Sequence, residues 1–190
     1  MISKVIIGKS FYGCCRYVCS NEHRAKILEA VGVRDHNYKF MGHDFELNRQ
    51  QLPNKQKSVF HGILSFYPGE NITDEKMLKI SQEYLEKLGI RDTQYCITKH
   101  IDKEHLHIHI IANLVNNKGK GINDSWIGLR GKKISQELTK KYELIPAEEK
   151  KTAKTNLQAL NNEDAIRYGI YQSIETILPT CSSMNELVKN

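Results

Sequence analysis

Polar and apolar residues alternate most cleanly where His105, His107 and His109 interleave with Leu106, Ile108 and Ile110. Successive side chains on a strand point to opposite faces, so residues 106–115 read as a strand. His105, His107 and His109 then share one face while the aliphatics bury the other. Residues 94–99 read as the strand leading into it. Residues 2–8 form a short strand, and residues 59–66 another, closed by a turn at Pro68-Gly69. Residues 26–33 are an apolar run of ambiguous period, read as a strand.

Elsewhere the period lengthens. Met77, Ile80, Tyr84 and Leu88 recur at three- and four-residue steps behind a capping Thr73, with Asp74 and Glu75 in the first turn and Gly89 at the end. Ser10 can cap a helix running to Cys19, although Gly13 weakens it. Residues 127–143 and 163–178 look helical. Residues 43–57 are polar and irregular, with room for a short helix broken at Pro53. Residues 116–121 make a basic turn, and residues 148–154 a charged connector. The sum is an α+β fold: a mainly antiparallel sheet with flanking helices, the histidines on a central strand facing a cleft.

Composition narrows the function. The chain has 190 residues, 39% hydrophobic and 26% charged, ordinary for a soluble globular protein. No apolar run is long enough to span a bilayer, and the first residues lack a signal-peptide core. The five cysteines are odd in number and irregularly placed, which fits reduced thiols and a cytoplasmic location rather than a disulfide framework. Net charge is +6, and residues 115–155, with ten Lys or Arg against five Asp or Glu, contribute +5 of it. There Lys118, Lys120, Arg130, Lys132 and Lys133 are candidates to meet phosphates, which ranks nucleic acid above an acidic protein as the partner. Trp126 stands in the same stretch, as a base-stacking surface or as core.

Three imidazoles in phase on an otherwise apolar strand make a poor core and a good metal site. Imidazole suits borderline divalent ions such as Mn, Co, Ni or Zn, and a third ligand leaves positions open for substrate. No cysteine lies nearby at finger-like spacing, against a structural zinc site. The chain lacks a glycine-rich phosphate loop and a Ser-His-Asp order. Tyr12 and Tyr17, five apart on a helix, face apart and cannot reach one ion together. Read from the residues alone, a metal-dependent DNA-binding module stays open. So does a two-His-one-carboxylate oxygenase, with Asp102 as its carboxylate.

Three segments in order resemble the mobilisation-protein relaxases, a group of the histidine-hydrophobe-histidine endonucleases. They are Gly8-Lys-Ser-Phe-Tyr-Gly-Cys-Cys-Arg-Tyr17, Val59-Phe-His-Gly-Ile-Leu-Ser-Phe-Tyr-Pro-Gly-Glu70, and the run His100-x-Asp102-x-x-His105-x-His107-x-His109 that ends at Asn113. The resemblance implies a relaxase domain over residues 1–145; residues 146–190, where no likeness is seen, read as a helical extension whose end, without a helix stop, looks cut short.

It also implies an enzyme that binds single-stranded origin DNA and nicks one strand at the transfer origin of a mobile element. Tyr17 would be the nucleophile, giving a 5′-phosphotyrosyl intermediate and a free 3′-hydroxyl. A divalent ion, Mg or Mn with Zn, Co or Ni also open, would be held by His107, His109 and His100, the last matching the family's leading histidine. His105 is the geometric rival for third ligand. Asp102 would orient a histidine or take the tyrosine's proton. Ser65 is a DNA contact, Asn113 a phosphate contact or a partner within the sheet, and His61 is read as core packing. Accessory mobilisation proteins and a transfer-coupling protein are the further partners implied. Rolling-circle initiators share such a metal strand but place the tyrosine after it, which would select Tyr142, Tyr168 or Tyr171.

Overall fold

A computed structural model describes residues 1–21, 24–102, 105–146 and 161–181. The chain divides into two compact units, residues 1–147 and 148–190. In the first, β1 (Ile2–Gly8), β2 (Ala25–Val31), β3 (Val59–Ser65), β4 (Tyr95–His100) and β5 (His107–Asn113) form one antiparallel sheet in the order β1-β3-β5-β4-β2. Helices α1 (Phe11–Cys19), α2 (Tyr38–Arg49), α3 (Asp74–Lys87) and α4 (Ile127–Lys141) complete it.

The middle strand β5 is buried on both faces, and its alternation decides what lies where. Ile108, Ile110 and Ala112 join Phe60, Leu64 and Ile97 beneath α3 and α4, against Met77, Ile80, Tyr84, Ile134 and Leu138. On the other face Ile111, Val59 and Cys96 meet Phe11, Cys15 and Val18 of α1 and Met41 and Phe45 of α2. The histidines lie on this second face, at the start of β5 and the end of β4.

The helices start where their caps allow. Gly13 does not break α1, because its amide donates to the capping Ser10 hydroxyl at 3.0 Å. The Thr73 cap of α3 accepts from the Lys76 amide. The sequence expectation for residues 43–57 needs correcting, since α2 begins at Tyr38 behind an Asn37 cap and ends before Pro53. Its buried face is only Met41, Gly42 and Phe45, too narrow a stripe to register as a period. The histidine strand begins at His107, so His105 lies ahead of the ladder rather than in phase with it. The apolar run at 26–33 is an edge strand, β2, with a register irregularity between Ile27 and Glu29. The five cysteines are free thiols.

In the second unit, α5 (Asn162–Ile177) is capped by Asn161, with Glu163 and Asp164 in its first turn. Ile166, Ile170 and Ile174 lie exposed along it at four-residue steps. Among the described residues no helix is long and apolar enough to cross a membrane.

Candidate metal centre and nucleophile

Pairing across the sheet, rather than alternation along one strand, assembles the histidine cluster. His107 opens β5 directly opposite His100, the last residue of β4, while His109 faces Thr98 one pair further in. Residues opposite one another in an antiparallel pair project to the same face. His100, His107 and His109 therefore converge, all three buried, each with a nitrogen within 4.8 Å of the others. His105 does not join that set. Its ring lies 5.7 Å from the His107 ring and its carbonyl is 3.3 Å from His107 Nδ1.

Each ring is held by its second nitrogen. His100 Nε2 donates to the Val18 carbonyl at 2.8 Å, leaving Nδ1 toward the cluster. His107 Nδ1 points at the His105 carbonyl, leaving Nε2. His109 Nδ1 is 2.8 Å from Nε2 of His61, a buried residue of β3, which leaves His109 Nε2 free to face the same point. Such partners fix the tautomer and orientation of a histidine that binds metal. Burial pushes the His109 imidazole down to about 2, with His100, His61, His107 and Arg24 adding to it. Burial, then His100 and Lys4, push His61 down to about 4. Both are neutral imidazoles at neutral pH, the form in which His109 offers a lone pair. The donor set fits a borderline divalent cation.

Asp102 lies at the mouth of this cluster. Its Oδ1 is 3.7 Å from His107 Nε2 and 3.9 Å from His100 Nδ1, and its Oδ2 is 3.5 Å from Arg24. Arg24 in turn stacks over the Tyr17 ring, 5.6 Å from its centroid, and donates to the Tyr17 carbonyl.

Tyr17 comes from the last turns of α1 and is 55% exposed. Its ring stands edge-on to His109 at 5.8 Å and to His61 at 6.1 Å. Tyr12 turns the other way, against Tyr38 of α2. Tyr142 is on the opposite layer, its hydroxyl bonded to Glu83 at 2.9 Å. Tyr168 and Tyr171 belong to the second unit.

The remaining sequence candidates scatter. Ser65 pairs with His107 across β3 and β5 and shares its face. Glu70 accepts from the Tyr67 and Ile145 amides, organising the turn after β3. Asn113 is wholly buried. Its amide donates to the Phe45 carbonyl and its oxygen accepts from the Val115 amide, so it ties α2 to the sheet. Lys118 and Lys120 sit on the turn beyond the far end of β5, Lys118 near Asp92. Arg130 donates to the Asn123, Ser125 and Leu88 carbonyls. Lys132 and Lys133 are exposed on α4, whose buried side packs on the face away from the histidines. Trp126 is 78% exposed with a φ of 53°, a left-handed conformation at the start of α4, and is not core.

Sequence reasoning missed Arg24, Lys4 and the His61 contact. Alternation within β3 puts His61, Ile63 and Ser65 on one face, which was a usable signal for His61. Nothing local links residues 17, 24 and 102.

The profile of the family described as "Relaxase: MobA/VirD2-like, nuclease domain" matches residues 17–144. The group II intron-interrupted relaxase LtrB of Lactococcus lactis subsp. cremoris (strain MG1363) is 28% identical over 156 residues, 80% of this chain and 26% of the relative. Protein MobA of Acidithiobacillus ferrooxidans is 27% identical over 67 residues, 35% of this chain and 16% of the relative. The chain thus spans about a quarter of LtrB's length and less of MobA's. No solved structure matches it.

Proposed function

The chain belongs to the MobA/VirD2-like relaxase nuclease family, and from that premise we propose that it nicks one strand at the transfer origin of a mobile element, with Tyr17 as nucleophile. The observation that carries this reading is the Tyr17 ring standing 5.8 Å from His109, beside the buried histidine cluster. His100, His107 and His109 would hold a divalent ion, Mg or Mn by the family likeness and Zn, Co or Ni by the donor set. When bound, the ion would draw charge from a non-bridging oxygen of the scissile phosphate.

The tyrosine oxygen attacks phosphorus, the bond to the 3′-oxygen breaks, and the phenol's proton is passed on to that oxygen. Asp102, between Arg24 and the histidines, is the group we assign to take and return the proton. Arg24 keeps a positive charge beside the anionic phosphate. Because a phenol leaves more readily than an alkoxide, the 3′-hydroxyl can reverse the attack, and religation needs no ATP. We place the reaction in the cytoplasm, with accessory mobilisation proteins and a transfer-coupling protein acting on the product.

The test is covalent trapping. The protein is incubated with manganese and single-stranded oligonucleotides tiling the DNA of the element that encodes it. Tyr17→Phe should abolish the adduct, and Tyr142→Phe should leave it intact, read by gel mobility and by mass spectrometry of the linked peptide. An adduct that survives Tyr17→Phe would remove Tyr17 from the mechanism.

A further inference from the structure

Beside Tyr17, away from His100 and His107, the same sheet face continues into a groove of about 360 Å³. Its lining includes Lys4 and Ile6 of β1, His61 and Ile63 of β3, and Tyr17 itself. Cross-strand register sets these in rows. Lys4 pairs with Ile63, which pairs with His109, and Ile6 pairs with His61. Helices α1 and α2 pack over Ile111 and Cys96, while Ser10 and Cys14 from the α1 segment and Val59 of β3 line the groove. Ile6 of β1 faces solvent there at 42% exposure, next to Ile63 of β3. Apolar side chains left contiguous on a sheet face, at the rim of a catalytic cluster, mark a surface built to receive something flat and apolar.

Charge and continuity select the occupant. Among the described residues no carboxylate lines the groove, and Lys4 stands on its rim. Adjacent strands lie about 4.8 Å apart, so Lys4 is roughly 10 Å from His109 across the sheet. The lysine stem is long enough to meet a phosphate next to one held at the histidines. Tyr17 and His61 line both the groove and the histidine site, so a strand with its phosphate at one must pass over the other.

We propose that this groove is a nucleobase pocket for single-stranded DNA: Ile6, Ile63 and the Tyr17 ring hold the base of a nucleotide flanking the scissile phosphate, and Lys4 holds the adjoining phosphate. The groove has little with which to read a base edge. Of its polar lining, the Ser10 hydroxyl oxygen already accepts from the Gly13 amide and His61 Nε2 is engaged with His109 Nδ1, while Ile6, Ile63 and Val59 are aliphatic. The pocket therefore requires a base and tolerates its identity, in the way stacking platforms do.

The pocket rests on the relaxase reading for its place beside a scissile phosphate, but it can be tested apart from catalysis. Binding of the full chain to a thymidine decamer and to an abasic decamer of equal charge would be compared by fluorescence anisotropy in chelator. The parent should prefer the thymidine decamer by roughly tenfold or more. Ile6→Ser, a change on an exposed strand position, should erase most of that preference and leave abasic binding unchanged. Lys4→Gln should weaken both ligands alike and flatten the salt dependence.

Equal affinity of the parent for the two decamers would overturn the proposal. So would an Ile6→Ser variant that loses affinity equally for both, or one whose oligomeric state shifts, which would make this face a contact between copies. If the base preference holds while no covalent adduct ever forms, the nicking reading falls and the pocket stands. The reverse result separates them the other way.

Discussion

His61 shows how one side chain can decide what its neighbour offers. For His109 to present Nε2 to a cation, its Nδ1 must carry the proton, and the group 2.8 Å away must accept it. His61 Nε2 does so only as a neutral imidazole protonated on Nδ1, the state that burial enforces. His61→Ala removes the acceptor and should lower metal affinity by about 10- to 100-fold. His61→Gln, whose amide oxygen can accept the same proton, should restore most of it. Calorimetry with manganese or the visible spectrum of the cobalt-loaded protein reads both, and equal affinity in parent and alanine variant would reduce His61 to packing. The residues also show what a sequence can disclose. His107 and His109 stand out from alternation alone. His100 becomes their neighbour only through the β4–β5 register, which here needed the family likeness to suggest it. Arg24 meets Tyr17 and Asp102 purely through folding.

Helix α4 reaches the sheet because it carries a glycine where α3 brings a tyrosine. A Cβ built on Gly131 would lie 2.3 Å from the Tyr84 hydroxyl and 3.2 Å from Val5 of β1. Tyr84 is wholly buried and cannot swing aside without opening the larger core. Gly131→Ala should therefore cost roughly 1–3 kcal/mol, despite the better helix propensity of alanine. A thermal melt would show it as a lowered midpoint with metal stoichiometry unchanged. An unaltered midpoint would mean that the two helices separate freely. Strong periodicity made α3 legible from Thr73 to Gly89. Helix α2 was hidden because its packing face is three residues wide and the rest of its surface is polar. Its position depends instead on Asn113, a buried amide that sequence reasoning assigned to phosphate or to the sheet.

Charge behaves differently at the scale of the molecule than along the chain. The basic stretch at 115–155 looks like a single DNA-binding tract when written out. Folding sends Lys118 and Lys120 beyond one end of the sheet and Lys132 and Lys133 to the layer away from the histidines. Among the described residues, Lys4 and Arg24 are cations near the site, and neither comes from the basic stretch. The larger unit, residues 1–147, contains the sheet, the histidines and Tyr17. A chain ending at Ala147 should melt in one cooperative step and form the DNA adduct at the rate of the full chain. A fall in that rate would assign the remaining residues a part in the reaction. One link within this unit has mechanical meaning. Val18, whose carbonyl steadies His100, is the residue after Tyr17. On the proposed mechanism, tension on DNA joined to that tyrosine would pass through a single peptide unit to an imidazole that would hold the ion, so a taut strand would slacken the catalyst and delay rejoining until the pull is released.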